Sequence, residues 1–281
     1  MPYRSSFESG SEYCFTSTDI SEYGTIDHID IKDATAIFCK NLINLKKLPL
    51  WPGVKSVSCI NCPELTELPL WPKVTYVSCI NCKGLTKLPL WLNILHVNCG
   101  GCLNLIELPM WPEIITLYCN DCLKLTTLPL WPNIMELDCT GCFKLIELSL
   151  WININIIFCA KCPNLTKLPL WPLVTIVYCY NCSNLSELPQ WTNIKHIDCT
   201  GCPEIKKVPQ FKEVVIRCDP KVYKSIEKIY TKGSCMVCLE NTEITEITKC
   251  NTCIWSMCRE CYTNWHIKKN EKKCMHCKIN F

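Results

Sequence analysis

The chain of 281 residues contains no segment typical of a membrane span or a secretory leader. No run reaches the roughly 18 apolar residues that a spanning helix needs, and the N-terminal segment MPYRSSFESG has no apolar core. A net charge of only +3 argues against nucleic acid or a membrane surface as a partner. With 27 cysteines and no secretory route, we expect reduced thiols and a cytoplasmic protein.

Catalytic signatures are missing as well. The sequence has no Ser/His/Asp arrangement, no Walker motif and no glycine-rich phosphate loop. His96 and His196 lie too far apart along the chain to form a catalytic pair. We therefore predict no catalytic residue.

A 20-residue unit repeats through most of the chain without any change of length. A tryptophan marks each copy, at Trp51, Trp71, Trp91, Trp111, Trp131, Trp151, Trp171 and Trp191. A Cys-x-x-Cys pair keeps the same step, from Cys59 and Cys62 to Cys199 and Cys202. A unit this short cannot bury its apolar face alone, so the period predicts a solenoid of stacked copies.

The alternation around Val77 and Cys79 predicts a short strand in each copy, with these two side chains facing inward. The LPLWP segment should run extended, because proline cannot donate a ladder hydrogen bond. The pattern LxxLxLxxCxxL resembles the leucine-rich repeat, both the short Leu-Pro repeats of bacterial effectors and the Cys-bearing repeats of F-box partners. This resemblance implies a parallel sheet on the concave side and little helix.

The sequence divides into four segments: a tail and cap at 1–33, the solenoid at 34–218, a capping or linker helix at 219–233, and a zinc finger at 234–281. We expect a loose tail to about residue 20 and a capping strand at 26–31. Asp219 and Pro220 are typical of a helix N-cap and first helical residue.

The last segment is dominated by four Cys-x-x-Cys pairs. Eight thiolates in chelating pairs fit two tetrahedral zinc ions, which a domain without a sizeable core needs for stability. Such four-sulfur sites are closed, so the zinc would be structural. The predicted ligands are Cys235, Cys238, Cys250, Cys253, Cys258, Cys261, Cys274 and Cys277.

The ligand spacing resembles a RING finger of the all-cysteine kind, with Cys253 where a histidine is usual. The resemblance implies that the first and third pairs hold one ion and the second and fourth pairs the other. It also implies that Val237, Trp265 and Lys278 contact a ubiquitin-conjugating enzyme. Met275 departs from this pattern, because proline is common at its position.

The resemblance implies a ubiquitin ligase of the RING type, in which the solenoid recruits a protein substrate on its concave face. One alternative is a non-enzymatic adaptor with a structural finger. Another is a lipid-binding finger of the FYVE kind, although EITKC lacks the basic, His-rich run of that class. The Cys and Trp usage is similar to that of giant DNA viruses such as Mimivirus, which would place the protein in the host cytoplasm.

Three columns of the repeat carry further expectations. We expect the repeat cysteines to be packed free thiols, with zinc between coils as the alternative. The tryptophans should form a buried stack towards the convex side. The candidate substrate contacts are the exposed aromatic residues on the concave sheet, Tyr118, Phe158, Tyr178 and Tyr180. The alternative is that these side chains are solvated surface residues with no binding role.

Overall fold

A computed structural model describes residues 3–7, 10–29, 31, 33–206, 208–209, 211 and 214–219, and the backbone of 233–234, 241–242, 248–249 and 256–257. One sheet takes twelve strands in chain order: β1 Tyr3–Phe7, β2 Gly10–Phe15, β3 Ala34–Lys40, β4 Ser56–Ile60, β5 Tyr76–Ser78, β6 His96–Asn98, β7 Thr116–Tyr118, β8 Glu136–Asp138, β9 Ile156–Phe158, β10 Ile176–Tyr178, β11 His196–Asp198 and β12 Val215–Arg217. A 3-10 turn at Ser17–Asp19 is the only helical element in these residues.

The strands β3 to β12 are parallel, and each pairs with the strand one repeat further along. Val77 pairs with Val97, and Val97 pairs with Leu117, so equivalent positions of successive copies are hydrogen-bonded neighbours. The predicted leucine-rich-repeat solenoid is thus confirmed for the described part of the chain. Its coils are joined by backbone pairing without any crossover helix in the described residues.

The interior of a coil is filled by the apolar positions of the repeat. In the third full copy these are Val97, Cys99, Cys102, Leu105 and Leu108, all of which are buried. The chain reverses just before the second cysteine position, which is Leu42 in the first coil, through a residue of positive φ that is Asn, Asp or Lys in six coils and glycine in three. This left-handed residue turns both thiols of a coil towards the core.

The tryptophans stack in one buried column along the whole solenoid. Neighbouring rings lie 6.0–6.5 Å apart with interplanar angles of 4–13°. From Trp71 onward, each indole N–H donates to a backbone carbonyl of the preceding coil at 2.9–3.1 Å. The acceptor for Trp171 is Ser149 instead of proline, so this bond needs the carbonyl and not the ring.

The spacing of the tryptophan column shows which way the solenoid curves. Paired strands lie about 4.8 Å apart, whereas the rings repeat at 6.0–6.5 Å. The tryptophan side of each coil is therefore more widely spaced than the strand side. The sheet is the concave face, and the LPLW segments form the convex back.

The N-terminal end differs from the predicted tail and capping strand. β1 and β2 form an antiparallel pair, and β2 adds in parallel to β3. Residues 26–29 form turns instead of a strand, although the side chains of Ile26 and Ile31 are buried beneath the cap. Phe15 stacks on Trp51 at 6.0 Å, so the cap continues the aromatic column.

At the other end, β12 pairs with β11, and the buried Phe211 takes the position that tryptophan has in the preceding coils. The predicted helix at 219–233 lies almost wholly outside the described residues. Four strands of two residues follow: β13 Gly233–Ser234 pairs with β14 Asn241–Thr242, and β15 Thr248–Lys249 pairs with β16 Ser256–Met257.

We predict that Trp111→Ala destabilises the protein by about 3–5 kcal/mol, because it leaves a cavity in the centre of the column. Trp111→Phe should cost less, since it keeps a ring but leaves the Pro89 carbonyl without its donor. The measurement is the free energy of unfolding by chemical denaturation. Lys124→Ala, an exposed change in the next repeat, serves as the control and should stay within about 0.5 kcal/mol; equal losses for all three variants would contradict the prediction.

Candidate functional site

The concave face is built from the first and third residue of each strand, because the middle residue faces the core. The third positions form a column across the sheet: Ser58, Ser78, Asn98, Tyr118, Asp138, Phe158, Tyr178, Asp198 and Arg217. These positions vary in chemistry while the core positions do not. Any selectivity of this face must therefore come from its outward positions, the first and third residues of the strands.

An aromatic cluster lies in the second half of this column. The rings of Phe158 and Tyr178 are stacked at 4.9 Å with an interplanar angle of 4°. The ring of His196 is tilted against Tyr178 at 5.1 Å. Ile156 and Ile176 are register neighbours at the first positions of the same strands. We call Phe158, Tyr178 and His196 the concave aromatic cluster.

The structure corrects the exposure of the predicted contact residues and shows how they are arranged. Tyr118, Phe158, Tyr178 and Tyr180 are half-buried and not exposed. Phe158 and Tyr178 are buried in part by each other, because parallel in-register strands bring equivalent side chains into contact. The four residues also do not form one site, since the strand Glu136–Asp138 separates Tyr118 from Phe158. Tyr180 lies two residues beyond the end of β10.

Tyr118 belongs to a second, smaller feature of the concave face. Its hydroxyl donates to Glu136 Oε1 at 2.8 Å. Burial, together with this bond, raises the pKa of Tyr118 to about 12. The ring borders a shallow cavity of about 210 Å³, whose other lining residues include Tyr76, His96 and Thr116. Tyr118 is therefore a neutral donor at neutral pH, held in place by a carboxylate.

Charged groups border the concave aromatic cluster on both sides. Asp138 precedes it; burial raises the pKa of this carboxyl, whose Oδ1 accepts from the Thr140 N–H at 2.9 Å. Asp198 follows it and lies 3.8 Å from an Arg217 nitrogen. Burial and then Arg217 lower the pKa of His196, so its imidazole is neutral at pH 7. Among the described residues, nothing hydrogen-bonds His196 Nε2.

The repeat cysteines are buried and free, as the packed-thiol interpretation requires. The second thiol of each coil donates to the carbonyl of the first cysteine of the preceding coil. Eight such contacts of 2.9–3.6 Å occur between Cys62 and Cys202. Burial holds the pKa of Cys159 well above its usual value. The ladder thus stabilises the stack, and in the described part of the chain no three potential ligands are grouped for a metal.

The eight predicted zinc ligands, and with them Val237, Trp265 and Lys278, lie outside the described residues. The paired strands β13 and β14 precede and follow the first Cys-x-x-Cys segment in the sequence. Strands β15 and β16 do the same for the second. Within the residues described, no helix has the length and apolar character to cross a membrane.

Sequence reasoning missed one surface, on the convex back. The third residue of each LPLW segment, which is Leu or Met, points outward. The first leucine and the tryptophan of the same segment are buried. The exposed fraction of these side chains is 48–61%. No side was predicted for this position from the sequence, and in the structure the extended backbone turns it to solvent. We call these residues the convex apolar row: Leu50, Leu70, Leu90, Met110, Leu130, Leu150 and Leu170.

No protein-family model and no curated protein matches the chain. A leucine-rich repeat protein from Bacteroides ovatus is 12% identical over 76% of this chain and 76% of its own, with a TM-score of 0.44. YopM from Yersinia enterocolitica is 19% identical over 67% of this chain and 56% of its own, with a TM-score of 0.43. The T. pallidum leucine rich repeat protein is 16% identical over 51% and 82%, with a TM-score of 0.42.

We predict that alkylating reagents leave the paired repeat cysteines of the native protein unmodified at pH 8, because all of these thiols are buried and a reagent cannot reach them. Cys14 is half-buried at the cap and should react first, while denaturant should expose every cysteine. Mass spectrometry of the labelled peptides gives the result. If a zinc chelator alone made the repeat cysteines reactive, the packed-thiol interpretation would be wrong.

Proposed function

We propose that this protein is a binding receptor for another protein, and that its cysteine-rich end acts as a RING-like finger that recruits a ubiquitin-conjugating enzyme. The observation that carries the first part is the concave aromatic cluster with acidic neighbours on both sides. The second part is supported by the spacing of the eight terminal cysteines and by Val237, Trp265 and Lys278 in the sequence.

The concave face has the composition of a protein-binding surface. Aromatic side chains in the middle of a patch, surrounded by polar and charged groups, are typical of binding hot spots. The stacked rings of Phe158 and Tyr178 lose little conformational freedom on binding, since each already restrains the other. The strands below them are fixed by pairing on both sides. A partner would therefore meet a preorganised surface.

The sulfur ligands of the predicted finger indicate which metal it would bind. Eight thiolates in pairs suit two zinc ions, which would hold together a segment with too few apolar residues for a core of its own. The finger would bind a charged conjugating enzyme through Val237 and Trp265, with Lys278 beside the ubiquitin. Its contribution is to restrict the thioester to a reactive orientation, so no intermediate forms on its own cysteines.

In a second candidate function, the concave face still binds a partner protein, but the protein has no ligase activity. In this case the protein is an adaptor, and the zinc-bound segment is structural or contacts a further protein. The shared solenoid means that substrate capture does not separate the two functions. Only the response of a charged conjugating enzyme does, whereas binding to lipid vesicles would favour the FYVE-like alternative.

We predict that the double substitution Phe158→Ala and Tyr178→Ala weakens binding of the concave-face partner by at least about 30-fold, the loss of one strong hot spot. The partner is first identified with a photo-crosslinking residue at position 176, and its affinity is then measured with purified proteins. Leu173→Ala, an exposed change outside the strands, is the control. Adducts that form equally well from position 173 would contradict a concave site.

We predict that the protein accelerates discharge of ubiquitin from at least one charged conjugating enzyme, and that Val237→Ala and Trp265→Ala abolish the effect. Each variant must retain two zinc ions per chain, measured by elemental analysis, so that loss of contact is separated from loss of fold. If no enzyme in a broad panel responds to the wild type, the adaptor function replaces the ligase.

A further inference from the structure

The convex apolar row has no role in the proposed function, yet it is the most regular exposed feature of the molecule. Seven successive coils place a large apolar side chain at the same outward position, each about half exposed. The largest apolar patch on an ordinary monomer is roughly 300–600 Å², and a continuous stripe along seven coils is of that size or larger. In the next coil Gln190 takes the position and the apolar character ends.

A row of exposed charged residues runs beside the apolar row, three positions earlier in each coil. An extended, proline-containing segment has three residues per turn, so both positions face the same side. Seven of the eight residues are charged and their sign alternates from coil to coil, with the uncharged Thr127 where the alternation would place a cation: Lys47, Glu67, Lys87, Glu107, Thr127, Glu147, Lys167 and Glu187. Within one chain the alternation allows neighbours to pair, as Lys47 and Glu67 do at 2.8 Å.

We propose that the convex back is a homodimer interface, in which two copies pack back to back and antiparallel. A two-fold axis that lies in the interface and crosses the solenoid at right angles reverses the order of coils but leaves the charged row on the same side. The apolar row then meets the apolar row, and the charged row meets the charged row. A parallel dimer would place the two charged rows on opposite sides, where they could not pair.

The charges select one register of this antiparallel dimer. With the two-fold axis between the Met110 and Leu130 coils, Lys47 faces Glu187 of the second copy. In the same register Glu67 faces Lys167, and Lys87 faces Glu147. A shift of one coil would instead place Lys47 against Lys167 and Glu67 against Glu147, which repel. The charge pattern is therefore complementary to itself in one register and repulsive in the adjacent ones.

The apolar rows fit this register. Met110 would face Leu130, Leu90 would face Leu150, and Leu70 would face Leu170, while Leu50 meets Gln190. A specific dimer buries about 1,200–2,000 Å² in total, so the charged rows must be buried together with the apolar rows. Each back curves away from the other, so the pairs beside the axis, including Lys87 and Glu147, come closest. Both concave faces remain open in such a dimer.

The test is the mass of the full-length protein in solution, by analytical ultracentrifugation over a concentration series. We expect a dimer for the wild type and at least about tenfold weaker association for Leu130→Glu, which places a carboxylate against the apolar row of the partner. Lys124→Glu, outside both rows, is the matched control and should leave association unchanged. A wild-type monomer at all concentrations would overturn the proposal, including one whose back binds vesicles or another protein instead.

The register has its own test. Lys87→Glu alone and Glu147→Lys alone should each weaken the dimer at least about tenfold, because each places like charges opposite one another twice. The double variant Lys87→Glu with Glu147→Lys should restore association. These residues lie three coils apart and cannot pair within one chain, so recovery reports a contact between copies. A double variant weaker than either single variant would overturn the antiparallel register.

Discussion

No coil of this protein can satisfy its own polar groups or bury its own apolar face; each depends on the coil before it. Strand carbonyls receive N–H groups from the neighbouring strand, the tryptophan N–H donates to the preceding coil, and the second thiol does the same. Each kind of bond recurs at its own fixed sequence separation, 22 residues for the tryptophan N–H and 23 for the thiol, because the repeat length never changes. The unvarying 20-residue register is thus a physical requirement, since one insertion would break three ladders at once.

The same dependence determines where function can lie. Positions that face the core or donate to a neighbouring coil are restricted in every copy, so only outward positions can differ. On the concave face they do differ, and Phe158 and Tyr178 stand out among serine, asparagine and aspartate. On the convex back the opposite holds: an outward position remains apolar over seven coils although packing within the chain does not require it. An apolar position that packing within the chain does not explain indicates a surface that a partner covers.

Much of this fold could be predicted from the sequence. The period, the strand alternation and the buried Trp and Cys columns each follow from the type of residue at a fixed place in the repeat. The N-terminal strands did not follow, since Gly10–Phe15 has no repeat pattern and becomes a strand by pairing with β3. The concave cluster followed only in part. The aromatic residues were recognised. The sequence does not show that the Tyr118 hydroxyl bonds to Glu136, whereas the rings of Phe158 and Tyr178 stack on each other.

The Cys-x-x-Cys motif occurs in two settings within this chain, and its chemistry depends on the setting. In the solenoid the residue before the second cysteine has positive φ, and the second thiol turns to a carbonyl of the preceding coil. Each second thiol there already donates to a carbonyl, and a metal could bind the thiol only if this hydrogen bond were broken. After residue 234 the pairs follow one another at unequal intervals and not at the 20-residue step of the solenoid. The spacing of these eight thiols does not match the ladder, and this is the reason for which we propose zinc as their partner.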